Sequence, residues 1–141
     1  MKLGIITYYW PPACGPGVQR WLKLSKYLAR EGIELFIVTI DADKATYPLR
    51  DEGLHADVVD GVTVVRTNTN EKFGAYKKVT GKKEVPFSGF SGEDSKVGFL
   101  QKVARFVRGN FFVPDARKGW NAYAYKAAAK IIEEHQVQHW I

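Results

Sequence analysis

KLGIITYYWPPACGPGVQRWLKLSKYLAREG, residues 2–32, decides how the rest of the chain is read. It divides into a short apolar strand (Leu3 to Thr7), a loop carrying Pro11, Pro12, Gly15 and Gly17, and a helix. Val18, Trp21, Leu22 and Leu28 recur at the i, i+3, i+4 spacing of a one-sided helix. Gly32 is placed to end that helix, because glycine accepts the left-handed backbone of a helix C-terminus. A glycine-rich turn that opens a helix at the C-terminal edge of a sheet is where α/β proteins bind ligands. Gly15, Gly17, Val18 and Arg20 are therefore the first candidate site.

Moving outward, ELFIVTI (residues 34–40) is apolar without alternation, as expected of a parallel strand buried on both faces. With the first strand and helix it makes a βαβ unit. Residues 41–61 are polar and turn-rich, with one helical turn expected at 51–56. VTVVR (62–66) follows the Asp60-Gly61 turn pair and reads as a third strand. A last helix is expected near Lys118, with Trp120, Tyr123, Ala124, Ala127, Ala128, Ile131 and Ile132 on one face. VQHWI (137–141) reads as the opening of a fourth strand. The fold class expected is α/β: a Rossmann-like, doubly wound, mainly parallel sheet with flanking helices, in one domain over 1–141. Because a doubly wound domain continues past its fourth strand, the chain is expected to be part of a longer protein.

At 141 residues the chain is long enough to bury a core, and its hydrophobic share of 45% is ordinary. No apolar run approaches the ~20 residues that span a bilayer. The apolar start is too short for a signal-peptide core. One cysteine, Cys14, makes no internal disulfide and sets no metal site. These features make a cytoplasmic location the default expectation, with no cofactor and no metal.

The net charge of +6 biases the chain toward anionic partners. Five lysines and no acid lie between Lys72 and Lys83, and six basic residues face only Asp115 between Lys96 and Lys118. Such runs are often just solvated faces. Residues 67–95 are rich in glycine and read as a long excursion. A helix is expected from Lys96 to about Arg108. There Lys102, Arg105 and Arg108 mix with Phe99 and Phe106, the pattern of a membrane-surface segment. A helix packed on its own domain is the plainer alternative.

The glycine loop is a poor dinucleotide fingerprint. It reads G-x-G-x-x-R, with Arg20 where a third glycine is needed, and it lies about eight residues past the strand. It is not a Walker loop, since no Gly-Lys-Ser/Thr follows. It is either a simple turn or a place where backbone N–H groups and Arg20 meet an anion. His135 and His139 read as structural, His55 has no evident carboxylate partner, and Trp120 reads as core. Trp10 and Asp115 are possible cleft residues, although helix capping alone accounts for Asp115.

YYWPPACGPGVQRWLKLSKYLAREG resembles the opening of the N-terminal domain of family 4-like glycosyltransferases of GT-B fold, where a first strand runs into Tyr-x-Pro-Pro, a Gly-x-Gly loop and a helix. FVPDARKGWNAYAYKAAAKIIEEH (112–135) is similar to a second signature of those domains, a Pro-Asp turn before a helix with a tryptophan. The resemblance implies a truncated N-terminal GT-B domain on the acceptor side of a two-domain, retaining-type enzyme. It implies a nucleotide-diphosphosugar donor, bound mainly by an absent C-terminal domain, and a glycan or lipid-linked acceptor in cell-surface polysaccharide or glycolipid synthesis. It also implies possible contact with the inner face of the membrane, no nucleic acid partner, and little activity in this chain alone. The catalytic residues remain unassigned. The alternative is a non-catalytic α/β module that binds a nucleotide or a nucleic acid.

Overall fold

The computed structural model describes residues 1–70 and 117–141. Its elements are β1 (Lys2–Ile6), α1 (Pro16–Arg30), β2 (Glu34–Ile40), a 3-10 turn (Glu52–Asp57), β3 (Val62–Thr67), α2 (Lys118–His135) and β4 (His139–Trp140). All four strands are parallel, in the order β3-β2-β1-β4. This is an α/β, Rossmann-like sheet with helices on both faces.

The two faces follow from the side-chain alternation of strands. Leu3 and Ile5 of β1, with Leu35 and Ile37 of β2, meet Val18 and Leu22 of α1. Phe36, Val38 and Ile40 of β2 face the other way, onto Trp120, Ala124 and Ile131 of α2. Residues 35–40 of β2 are each no more than 1% exposed, so this strand is the centre of the molecule. Burying side chains of this size contributes ~1.5–3 kcal/mol apiece. That is why the strand carries no alternating polar pattern.

The ends of the helices are set locally. Gly32, just past α1, has φ +75°, and its N–H donates to the Ala29 carbonyl. Gln136 closes α2 in the left-handed conformation, and Lys2 Nζ donates to the His135 carbonyl (2.9 Å). A cation there offsets the negative end of the helix dipole. The His135 ring lies against Phe36, the structural role its position suggested. Trp120 is buried, and its Nε1 donates to Thr67 Oγ1 (2.7 Å), tying α2 to the end of β3.

The helix expected at 96–108 and the excursion over 67–95 lie outside the described residues, apart from 67–70. Within that short part, Thr67 ends β3, and Asn70 N–H donates to the Gly119 carbonyl at the start of α2. No helix among the described residues is long and apolar enough to cross a membrane.

Candidate functional site

The strand order places the reversal of winding between β1 and β4, since β2 and β3 lie to one side of β1 and β4 to the other. In open parallel sheets the crevice past the carboxyl ends of the two strands at this reversal is the usual ligand site. The chain leaves β1 at Ile6 and enters the glycine loop directly beside that crevice. Ile6 N–H donates to the Ile141 carbonyl at the end of β4 (2.9 Å), which brings both strand ends to one place.

The loop is fixed along its length. Thr7 Oγ1 donates to the Tyr9 carbonyl (3.2 Å). The Tyr8 carbonyl accepts from Thr39 Oγ1 and from the Tyr47 hydroxyl, both at 3.3 Å. The Pro11–Pro12 peptide is cis. Arg66 Nη2, from the end of β3, donates to the Pro11 carbonyl (3.2 Å). Asp51 N–H donates to the Pro12 carbonyl (2.8 Å), and Cys14 N–H to the Leu49 carbonyl (3.1 Å). Ala13 and Arg50 form an antiparallel bridge across the same two segments.

This frame delivers the chain to Gly15, the N-cap of α1, with φ +135°. A side chain is strained at that angle, so only glycine turns the corner cheaply. Pro16 then opens the helix, where its missing N–H costs nothing. Gln19 N–H reaches the Gly15 carbonyl (3.1 Å), while no side chain caps the first turn and no acid lies in it. The N–H groups of Gly17 and Val18 precede the first intrahelical bond and add to the positive end of the helix dipole.

Gly17 is the informative position. It is exposed, its φ is not in the left-handed range, and a Cβ built on it meets no atom within 4 Å. Neither backbone angle nor packing within the described chain requires a glycine there. A bare backbone at a helix start lets a ligand approach its N–H groups closely. Arg20, one turn on, is exposed and in no ion pair among the described residues. Residues 7–22 contain no carboxylate and no histidine. The loop therefore offers dipoles and one cation to an anion, and no proton-transfer pair.

Val18 contributes only its N–H, because its side chain is 1% exposed within the core. Trp10 corrects the expectation of a cleft residue: its side chain is also 1% exposed and packs inward with Ala13, Val18 and Leu22. The loop folds back over it, so the indole supports the loop from beneath. Asp115, Phe99, Lys102, Arg105, Phe106 and Arg108 lie outside the described residues.

Beside the loop stands an aromatic group, of which the sequence singled out Trp120, as core, and Tyr9, as the tyrosine of the Tyr-x-Pro-Pro stretch, but not their meeting. Tyr8 meets Tyr9, Tyr47 and Trp120 edge-to-face, with ring centroids 5.1, 5.9 and 5.5 Å apart. Arg117, at the N-cap of α2, lies over Tyr8 and Tyr9 at 4.6 and 4.8 Å. Cation–π contacts of this kind hold a guanidinium in place. Arg66 did carry a sequence signal: it is the one charge in VTVVRT, at the carboxyl end of a parallel strand. Among the described residues no three His, Cys, Asp or Glu side chains gather as metal ligands do. No protein-family model, curated protein or solved structure matches the chain.

Proposed function

We propose that the chain is the acceptor-side N-terminal domain of a family 4-like, GT-B glycosyltransferase. The parent enzyme moves a sugar from a nucleotide diphosphosugar to a glycan or lipid-linked acceptor, in cell-surface polysaccharide or glycolipid synthesis. The supporting observation is the bare, uncapped start of α1 at the winding reversal of the sheet, with Gly17 free of any packing need and Arg20 beside it. Sugar transfer leaves a diphosphate, and that leaving group needs N–H dipoles or cations. Gly15, Gly17, Val18 and Arg20 supply both from one wall of a cleft. The facing wall, with most of the donor contacts, belongs to a second domain.

Titration of nucleotide diphosphosugars against the full-length gene product, paired with a transfer assay, tests this reading. Donor binding and sugar transfer are expected. Neither one with any donor sinks the proposal, and nucleotide binding without transfer favours a non-catalytic nucleotide module. Gly17→Ala gives a sharper check. It is expected to leave the melting temperature unchanged or raise it, since alanine favours a helix by up to ~1 kcal/mol over glycine. Donor binding is expected to weaken about tenfold, the ~1.4 kcal/mol of one impaired charge-assisted hydrogen bond. Unchanged affinity shows that no anion approaches this backbone.

A further inference from the structure

Helix α2 is apolar on two sides. Toward the sheet it buries Trp120, Ala124, Ala128 and Ile131. Ala122, Tyr125, Ala129 and Ile132 form a second stripe, at the alternating three- and four-residue spacing of a helix–helix seam. At ~100° per residue these four fall within an arc of about 80°, roughly 125° round the helix from the buried four. Tyr125 is 75% exposed and Ile132 46% exposed. Ala122 is exposed and Ala129 is half-buried. A helix lying on a sheet needs one apolar stripe, so the second has no role in the packing of the described residues.

Charge is ordered along the same side of the helix. Lys118 lies at the N-terminal end of the stripe, and Lys126 and Glu133 run along one flank. All three are exposed and in no ion pair among the described residues. Lys130 and Glu134 lie farther round and pair with each other at 3.6 Å. The other flank carries Asn121, with Ala128 and His135 turned toward the sheet.

We infer that this stripe docks a second copy of the chain: α2 packs antiparallel on α2, about a two-fold axis between Tyr125 and Ala129. The order small, large, small, large selects that occupant. Antiparallel pairing sets Tyr125 of one copy on Ala129 of the second, and Ile132 on Ala122. Every large side chain then meets a small one, and the alanines let the helix axes approach to ~8 Å. Parallel pairing sets ring on ring and leaves alanine facing alanine. Charge selects the same direction. The antiparallel pair brings Lys118 of each copy within a turn of Glu133 of the other, at the ends where opposite helix dipoles meet. A parallel pair opposes like charges at both ends. Both copies use the same surface, so the assembly closes as a dimer. Lys126 of each copy flanks the axis, where its long stem carries the charge into water. That repulsion and a contact of three turns make the association weak, with a dissociation constant on the order of 100 μM. The glycine loop and α1 lie on the opposite face of the sheet from α2, so the dimer leaves the candidate site open. The inference stands without the glycosyltransferase reading.

Sedimentation equilibrium of the full chain, from about 1 μM to about 1 mM, tests it. The wild type is expected to pass from monomer to dimer across that range, and its melting temperature to rise with concentration. Tyr125→Ser with Ile132→Ser is expected to weaken dimerisation by at least about 100-fold, since each dimer loses four large apolar side chains. Lys118→Glu alone and Glu133→Lys alone each put like charges at both ends of the dimer, and each is expected to weaken it about tenfold. Mixing those two variants restores both pairs between chains, so the mixture is expected to associate as the wild type does. All four positions are exposed, so melts of dilute variants are expected to match the dilute wild type. A wild type that stays monomeric, or dimerisation untouched by Tyr125→Ser with Ile132→Ser, overturns the inference. So does a mixture that associates no more tightly than its two components. A monomer that loses stability in Tyr125→Ser with Ile132→Ser overturns it too, and shows that another segment of the chain covers the stripe.

Discussion

Trp10→Ala is expected to destabilise the protein by about 3–5 kcal/mol, the range for deleting a buried large aromatic side chain. The indole is 1% exposed and packs among Ala13, Val18, Leu22, Leu35 and Leu54, where the first helix, the sheet and the 3-10 turn meet. Truncation removes that contact area and leaves a cavity that the surrounding backbone cannot close. The loop above is held on both sides, by Arg66 at Pro11 and by Asp51 at Pro12. Two-state denaturant unfolding of wild type, Trp10→Ala and Trp10→Phe measures the effect. Phenylalanine keeps an apolar ring in place, so that variant is expected to lose much less. A loss below about 1 kcal/mol for Trp10→Ala means that the ring is a surface group. Stability near wild type combined with weakened ligand binding would restore Trp10 to the cleft.

The misplacement of Trp10 shows what kind of information the sequence lacks. An aromatic residue before two prolines at a strand end has no local signal for inside or outside. Its burial depends on the loop folding back, and that depends on contacts made far along the chain. The Arg66–Pro11 hydrogen bond joins residues 55 positions apart, and the Tyr47–Tyr8 bond joins residues 39 apart. Elements fixed by periodicity were legible instead. The bounds of β2, residues 34–40, match the apolar run, and α2 starts at Lys118 as its apolar face predicts. The turn expected at 51–56 is the 3-10 turn Glu52–Asp57, held by Asp51 Oδ1 accepting from Gly53 N–H (2.9 Å).

Pairing was half legible. A βαβ unit makes β1 and β2 neighbours, since helical crossovers join parallel strands. Nothing in HW announces that β4 joins the free edge of β1 and not that of β3. That choice makes the winding reversal and so positions the glycine loop as a site. The loop itself was legible, because glycines, a proline and a helix start are local features. The frame behind it was not, because each support of the loop comes from another segment. Arg66 and Tyr47 do their part through long-range contacts with backbone carbonyls, which leave no spacing in the sequence to find.

The close fit between β1 and β4 carries the second large effect: Gly4→Val is expected to destabilise the protein by about 2–3 kcal/mol, and Gly4→Ala by about 1–2 kcal/mol. A Cβ built on Gly4 lies 2.4 Å from Trp140 Cε3 and 2.5 Å from its Cδ2 and Cζ3. Those atoms belong to the body of the indole and not to the tip of a flexible chain. The ring packs with the α2-side core, and its Nε1 donates to the Val137 carbonyl (3.3 Å). Two effects therefore oppose each other. Strand preference favours alanine or valine over glycine by at most ~1 kcal/mol. The clash forces either the indole off its site or β4 away from β1, where Leu3 pairs with His139 and Gly4 with Trp140, and Ile141 bonds the backbone of Gly4 and Ile6. The steric cost wins because the rigid body of the indole, 2.4–2.5 Å from the new Cβ, cannot give way without moving off its packed site. Removing the ring removes the conflict, so in Gly4→Ala with Trp140→Ala the two losses are expected to add to less than their sum. Coupling of about 1–2 kcal/mol in a double-mutant cycle is the expected result. Additive losses, or a Gly4→Ala variant more stable than wild type, would mean that the indole does not lie across Gly4 in solution. In that case β4 does not hold the position beside β1 that creates the crevice next to the glycine loop.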